Sequence, residues 1–110
     1  MEKKFTQGEW RVCLSNTSYA DVFVDGFVDG FEICTCWPGY VGEDETKANA
    51  KLIAAAPNML DALLETDKDL CVLESTMSQI ESTDPRAEGM TELVKKWRER
   101  NKLAINKATE

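Results

Sequence analysis

The chain of 110 residues contains no histidine. Histidine is the commonest general acid or base near neutral pH, and it usually activates a nucleophilic serine or cysteine. Glycine is also scarce, with six residues, and Gly26 and Gly30 are too isolated to form a loop that cradles phosphate. These absences argue against most catalytic mechanisms. We expect a protein that is not an enzyme and that has no cofactor.

Long apolar stretches are missing as well. No run approaches the roughly 18 residues that a membrane-spanning helix needs. The charged residues 1–4 are not followed by the apolar segment of a secretory signal. We therefore expect a cytoplasmic protein without a membrane partner. With 110 residues and 43% hydrophobic side chains, the chain has the size and composition of one globular domain.

Four cysteines are present, and in the cytoplasm we expect them to be reduced thiols. Cys34 and Cys36 lie two apart in a predicted strand and share a face, and Cys13 would add a third ligand to a zinc site. The spacing is poor for zinc and no histidine is available, whereas a free cysteine is commonly a small buried hydrophobic residue. We therefore expect buried thiols and no metal.

The net charge of −7 is unevenly distributed. Residues 1–84 contain 16 acids and six bases, whereas residues 85–110 contain seven bases and four acids. An acidic body disfavours phosphate binding and favours basic partners. The basic run at residues 95–100 surrounds Trp97, which lies in an apolar helical pattern, so we expect Trp97 to be buried rather than stacked on bases. Direct nucleic-acid binding is therefore not expected.

Three strands are predicted in residues 1–43. Residues 9–15 alternate between apolar and polar, a second strand begins near Tyr19, and residues 31–37 form a third strand. The tandem repeat Phe-Val-Asp-Gly at residues 23–30 lies between the last two strands. Each Asp-Gly pair is a hairpin signal. We expect the tight turn at Asp29-Gly30 and a bulge at Asp25-Gly26, in an antiparallel meander.

Helical patterns follow the strands. Asp44 is a plausible N-cap for a helix over residues 44–56, and Pro57 removes a backbone donor at its end. A kink at Pro57 is the alternative, but we expect a break. The next helices are predicted at residues 57–82 and 85–109, because Asp84-Pro85 ends one helix and starts another.

The last two helices carry complementary patterns. Seven positions from Met59 to Ile80 are spaced by four and three residues and form an apolar seam whose only polar member is Thr66; a similar seam follows from Met90, with Asn101 as its polar member. Folding the helices about residue 84 places Thr66 and Asn101 in one layer. We predict an α+β fold in a single domain, with a small antiparallel three-stranded sheet, a short helix and a long antiparallel helical hairpin.

The run Ala48-Asn49-Ala50-Lys51-Leu52-Ile53-Ala54-Ala55-Ala56-Pro57, which continues more loosely to Leu63, resembles a segment of small accessory proteins of tailed bacteriophages and prophages. The opening Phe5-Thr6-Gln7-Gly8-Glu9-Trp10 is similar to the start of the same family, although Gln7 and Glu9 replace its prolines. The resemblance covers about residues 5–65. It implies a role in host takeover or in countering host defence, and it brings no catalytic residues.

The leading hypothesis is a phage protein that binds and inhibits a host protein or defence complex, such as a CRISPR complex or a nuclease. The expected contact residues lie in the second hairpin and the loop after the third strand: Asp25, Phe27, Asp29, Trp37 and Tyr40. One alternative is a sponge that sequesters a nucleotide immune signal with Lys47, Lys51 and the last helix. Another is a homodimer that serves as a structural or assembly adaptor of the phage.

Overall fold

A computed structural model of the chain describes residues 4–14, 19–24, 31–39 and 41–110. The chain divides into two compact units, Met1–Asn58 and Met59–Glu110, which we call the N-terminal unit and the C-terminal unit. The expected single domain stays a prediction.

The N-terminal unit contains a three-stranded antiparallel sheet. Its strands are β1 (Trp10–Leu14), β2 (Ala20–Val24) and β3 (Phe31–Cys36), in the order β1-β2-β3. The predicted meander is confirmed, and its strand limits agree with the structure to within one residue. The predicted turn at Asp29-Gly30 and the bulge at Asp25-Gly26 lie outside the described residues.

An irregularity in the β2–β3 ladder does fall within the described strands. Val22 pairs with Cys34, whereas Phe23 pairs with Glu32, so Ile33 is an extra residue in β3. Such a bulge changes which side chains share a face of the sheet. As a result, the consecutive residues Ile33 and Cys34 both pack against the buried core.

One long helix follows the sheet. Helix α1 runs from Gly42 to Thr83 and contains Pro57 in its interior. The predicted division into a helix at residues 44–56 and another at residues 57–82 is therefore wrong. Strong helix-forming residues surround Pro57, and propagating a helix past one missing hydrogen bond costs less than starting a new helix. Asp44 lies in the first turn and is not the N-cap.

The first turns of α1 cover one face of the sheet. Ala20 and Val22 of β2 form a fully buried cluster with Ala50 of α1. Thr46, one turn before Ala50, is also buried, and its hydroxyl donates to the carbonyl oxygen of Gly42 at 2.6 Å. Small residues on both sides let the helix approach the sheet closely, and the core of this unit is correspondingly thin.

The C-terminal unit is an antiparallel pair formed by α1 from Met59 onward and α2 (Met90–Thr109). Arg98 contacts Glu74 and Asp67, and the Asn101 side-chain amide donates to the Leu63 carbonyl at 2.9 Å, so later residues of α2 lie beside earlier residues of α1. The predicted helical hairpin is confirmed. Its buried apolar residues are Leu60, Val94 and Ile105.

The connection between the helices is longer than predicted. The Asp84 carboxylate accepts the backbone N–H of Arg86 and caps a 3-10 turn over Pro85–Ala87. Gly89 then has a φ of +85°, which favours glycine, and α2 begins at Met90. The prediction that the helix starts at residue 85 is wrong, because Pro85 begins the short turn instead.

The polar layer of the hairpin lies where the seam pattern places it. Thr66 and Asn101 line the same groove, but each bonds to backbone: the Thr66 hydroxyl donates to the Ala62 carbonyl at 2.8 Å, and Asn101 to Leu63. Trp97 also lines this groove and is 40% exposed. The prediction that Trp97 is buried is therefore wrong, since two helices cover only one side of the ring.

We expect Pro57→Ala to raise the thermal unfolding midpoint measured by far-UV circular dichroism. Proline is about 3 kcal/mol less favourable than alanine inside a helix, because its nitrogen cannot donate to the carbonyl of Ile53. The control Asn58→Ala changes the next, exposed position and should stabilise by about 0.5 kcal/mol at most. A Pro57→Ala variant no more stable than this control would mean that the helix ends before residue 57 in solution.

The Glu81 carboxylate generates a pH-dependent contribution to stability. The Thr91 side chain, and then the backbone N–H groups of Gly89 and Thr91, lower the pKa of Glu81 below its ordinary value. The Gly89 N–H lies 2.7 Å from one carboxylate oxygen. Because the folded pKa lies below the unfolded pKa, the stabilisation is complete above the unfolded value and is lost as the pH falls through the folded value.

We therefore expect Glu81→Gln to be less stable than wild type at pH 7, with the difference shrinking as the pH falls from about 5 to about 3. Urea unfolding at several pH values measures this difference. The matched control is Glu88→Gln, which changes an exposed carboxylate in the connection that follows α1. A Glu81→Gln deficit that stays constant with pH would contradict the assignment.

Candidate protein-binding surfaces

The structure describes one of the five predicted contact residues. Asp25, Phe27, Asp29 and Tyr40 lie outside the described residues. Trp37 follows β3 directly and is 67% exposed. Its ring packs against the ring of Tyr19, with the ring centroids 4.7 Å apart and the planes inclined by 36°. Most of the Trp37 surface therefore remains available to a partner.

Trp37 is held by structure on both sides. On its N-terminal side, Cys36 pairs with Ala20 in the β2–β3 ladder. On its C-terminal side, the carbonyl oxygen of Pro38 accepts the backbone N–H groups of Val41 at 2.8 Å and Gly42 at 3.3 Å, where α1 begins. The aromatic ring is thus presented from a fixed backbone. A side chain on a fixed backbone, packed against the Tyr19 ring, loses little conformational entropy when it binds a partner.

Acidic groups continue the same outward face of the sheet. The pair Tyr19–Trp37 lies one step beyond Ala20–Cys36, and Asp21–Thr35 lies one step before it. Because successive strand residues point to opposite faces, the aromatic pair and Asp21–Thr35 share the outward side. The Thr35 hydroxyl lies 2.7 Å from an Asp21 carboxylate oxygen and also contacts Glu32. We call Tyr19, Asp21, Glu32, Thr35 and Trp37 the outer sheet face.

The cysteines are divided between the two sides of the sheet and α1. All four are free thiols. Cys34 and Cys36 are half-buried on the inner face, and burial, followed by the neighbouring Cys36, raises the pKa of the Cys34 thiol. Cys13 and Cys71 are exposed, so the prediction that they are buried is wrong. In the part of the chain that the structure describes, no three Cys, Asp or Glu side chains are placed to hold a metal ion.

A groove runs between β1 and the first part of α1, with a volume of about 540 Å³. Arg11 and Lys51 bring two cations to it, and Trp10 adds an aromatic ring. Of the two lysines assigned to the nucleotide alternative, Lys51 lines this groove, whereas Lys47 forms an ion pair with Glu43 at 3.0 Å. Sequence reasoning missed Arg11 and Trp10 because the groove depends on how the strand packs on the helix.

A second groove, of about 480 Å³, lies along the C-terminal unit. We call it the hairpin groove. Its lining is mainly apolar and comes from both helices: Leu63, Thr66, Leu70, Trp97, Arg100, Asn101 and Ala104. Arg98 marks the opposite side of the hairpin, where it forms ion pairs with Asp67 at 3.5 Å and Glu74 at 3.2 Å. The hairpin therefore has one apolar side and one charged side.

A comparison with protein families identifies the biological context. The family model described as Salmonella phage P22 protein Y8K6 matches residues 1–110. The chain belongs to this phage protein family. No curated protein and no solved structure matches it.

Membership of the family confirms the phage origin predicted from the resemblance. The family match includes the helical hairpin, which lay outside the resemblance at about residues 5–65. The family description names no activity. Over the described ranges, neither helix has the length and apolar character needed to cross a membrane.

Proposed function

We propose that this phage accessory protein binds and inhibits a host protein assembly, in host takeover or in countering host defence. The observation that supports this proposal best is the exposed Trp37 side chain, whose ring packs against Tyr19 at the end of the sheet. Tryptophan and tyrosine are the residues most enriched among binding hot spots, because each combines a large apolar surface with a polar group.

The charge of the outer sheet face indicates the kind of partner. Asp21 and Glu32 lie on the same face as the aromatic pair. The whole chain has a net charge of −7. A host surface that normally receives nucleic acid is basic, so an acidic protein with an aromatic anchor can compete for it. CRISPR complexes and nucleases both present such surfaces.

Folding alone gives a weaker account of Trp37. A ring that leaves 67% of its surface in solvent contributes little to the core of the N-terminal unit. Its removal should therefore affect partner binding much more than it affects stability. This difference separates a binding residue from a structural one.

We expect Trp37→Ala to reduce capture of the host partner at least tenfold in a pull-down from bacterial lysate quantified by mass spectrometry, as for a hot-spot residue. The stability of the variant should fall by no more than about 1 kcal/mol. The control is Leu52→Ala, which removes another exposed large apolar side chain, on α1. The partner is the protein captured by wild type and by the control.

Two further measurements sharpen this test. Binding should weaken with added salt if the outer sheet face meets a basic surface, and Asp21→Asn should reduce that salt dependence. A set of captured proteins that is the same for wild type and Trp37→Ala would refute the assignment of Trp37, provided that both variants show the same circular dichroism spectrum.

A second candidate function, sequestration of a nucleotide signal, is supported by the groove between β1 and α1. Arg11 and Lys51 could neutralise phosphate groups there, and Trp10 is the aromatic residue of the lining. The groove is open, and Glu9 lies 3.5 Å from Arg11 in an ion pair that competes for the guanidinium. This competition makes the nucleotide hypothesis the weaker of the two.

The nucleotide hypothesis predicts a rise in thermal unfolding midpoint with a signalling nucleotide at millimolar concentration, because a ligand that binds only the folded state stabilises it. Lys51→Ala should abolish most of the rise, whereas Lys68→Ala, an exposed lysine of the C-terminal unit, should leave it unchanged. An unfolding midpoint that none of the cyclic or linear signalling nucleotides changes would exclude this function.

A further inference from the structure

The C-terminal unit leaves much of its apolar seam in solvent. Met59 is 50% exposed, and Met90, Leu93 and Trp97 are each 40% exposed. The buried apolar residues of the unit are few, and a unit of about 50 residues with a small core is marginally stable on its own. Two helices bury only the sides that face each other, whereas each seam here is wide enough to meet a second neighbour.

Met59, Met90, Leu93 and Trp97 lie on the side of the hairpin groove by their helical spacing, whereas the exposed Val72 and Leu103 do not line it. Met59, Thr66, Leu73 and Ile80 are spaced by seven along α1, so they form one stripe, and Leu93, Trp97 and Ala104 form the matching stripe on α2. Thr66, Trp97 and Ala104 line the groove itself. The stripes therefore border one continuous open face.

The opposite side of the hairpin needs no cover. There the guanidinium of Arg98 lies between the carboxylates of Asp67 and Glu74, and all three side chains are half-buried. The surrounding residues are mostly polar, among them Ser75, Ser78 and Gln79. A docking partner would accordingly meet the apolar face and leave these ion pairs undisturbed.

The two edges of the open face have opposite charge. Asp69 is three residues after Thr66 and four residues before Leu73, so it lies beside their stripe on α1. Glu65 lies one turn before Asp69 on the same edge of the open face. On α2, Arg100 lines the groove, and Lys96 lies one turn before it on the same edge. One edge is acidic and the other is basic, so the face is complementary to a rotated copy of itself.

We propose that a second copy of this chain covers the hairpin groove and completes a four-helix bundle. A two-fold axis parallel to the helices places α1 of each copy on α2 of the other. The acidic edge of one copy then meets the basic edge of its partner. A two-fold axis across the helices would place α1 on α1 and bring acids against acids, so the charges select the first arrangement.

The size of the face fits this occupant. Helix α2 has 20 residues and is about 30 Å long, and two adjacent helices are roughly 20 Å wide. Their footprint of roughly 600 Å² is comparable with the roughly 800 Å² of accessible surface that each partner buries in a stable complex. Rotation about this axis does not shift a residue along the helix direction. Asp69 therefore meets Arg100 of the second copy at the level where Leu70 and Trp97 line the groove.

The mass of the full chain in solution tests the proposal. We expect light scattering after size exclusion to give twice the chain mass of 12.4 kDa at micromolar concentration. Asp69→Lys alone and Arg100→Glu alone should each raise the dimer dissociation constant about tenfold or more, because each places like charges at two symmetric sites. Far-UV circular dichroism checks that the variants keep their helices.

The double variant Asp69→Lys, Arg100→Glu decides the arrangement. It exchanges the charges of the two edges, so α1 on α2 again joins opposite charges and the dimer should return to near the wild-type dissociation constant. A monomer at 100 μM, single variants that dimerise like wild type, or a double variant weaker than both single ones would each overturn the proposal. The inference does not depend on the proposed host partner, whose predicted contacts lie in the N-terminal unit.

Discussion

The ion pairs of Arg98 with Asp67 and Glu74 set the arrangement of the C-terminal unit. Two helices with few buried apolar residues have little packing to define their register, so polar contacts between the helices contribute to it. The bond from Asn101 to the Leu63 carbonyl adds a second fixed point near the same level. Because these contacts lie on one side, the apolar seam turns toward the other side and forms the hairpin groove.

In the N-terminal unit, small residues determine how the sheet packs on the helix. Ala20 and Ala50 are fully buried and let the sheet and helix meet closely, so one face of a three-stranded sheet is covered by a few turns of helix. On the other face, the described residues are exposed or half-buried. Its aromatic pair, Tyr19 and Trp37, is fixed by the strand ladder and by the turn at Pro38 rather than by burial. The fold therefore positions the ring without consuming its surface.

The sequence predicts periodic features well, but it predicts poorly which side chains are buried by neighbouring elements. Alternation located the strands, and the two polar seam residues located the hairpin layer, because both depend on spacing alone. The predicted break at Pro57 is wrong because the free-energy cost of one proline is outweighed by the cooperativity of a long helix. The predicted burial of Trp97 is wrong for another reason. Spacing places a residue on one side of a helix, but the number of neighbouring elements that cover that side depends on the tertiary arrangement. For the same reason, the sequence predicts Lys51 as a residue of the nucleotide site but does not predict Arg11.

The two surfaces differ in composition, and each composition suits a different kind of neighbour. The outer sheet face is polar around one aromatic pair, so it is stable in water and suits a partner that comes and goes. The hairpin groove exposes apolar side chains from both helices at once, which favours a permanent neighbour. A dimer formed through the groove would carry two outer sheet faces. If both reach one host assembly, each weak aromatic contact gains from the high effective concentration of the other. Under the two proposals, dimerisation would therefore strengthen binding to a host assembly without any new contact.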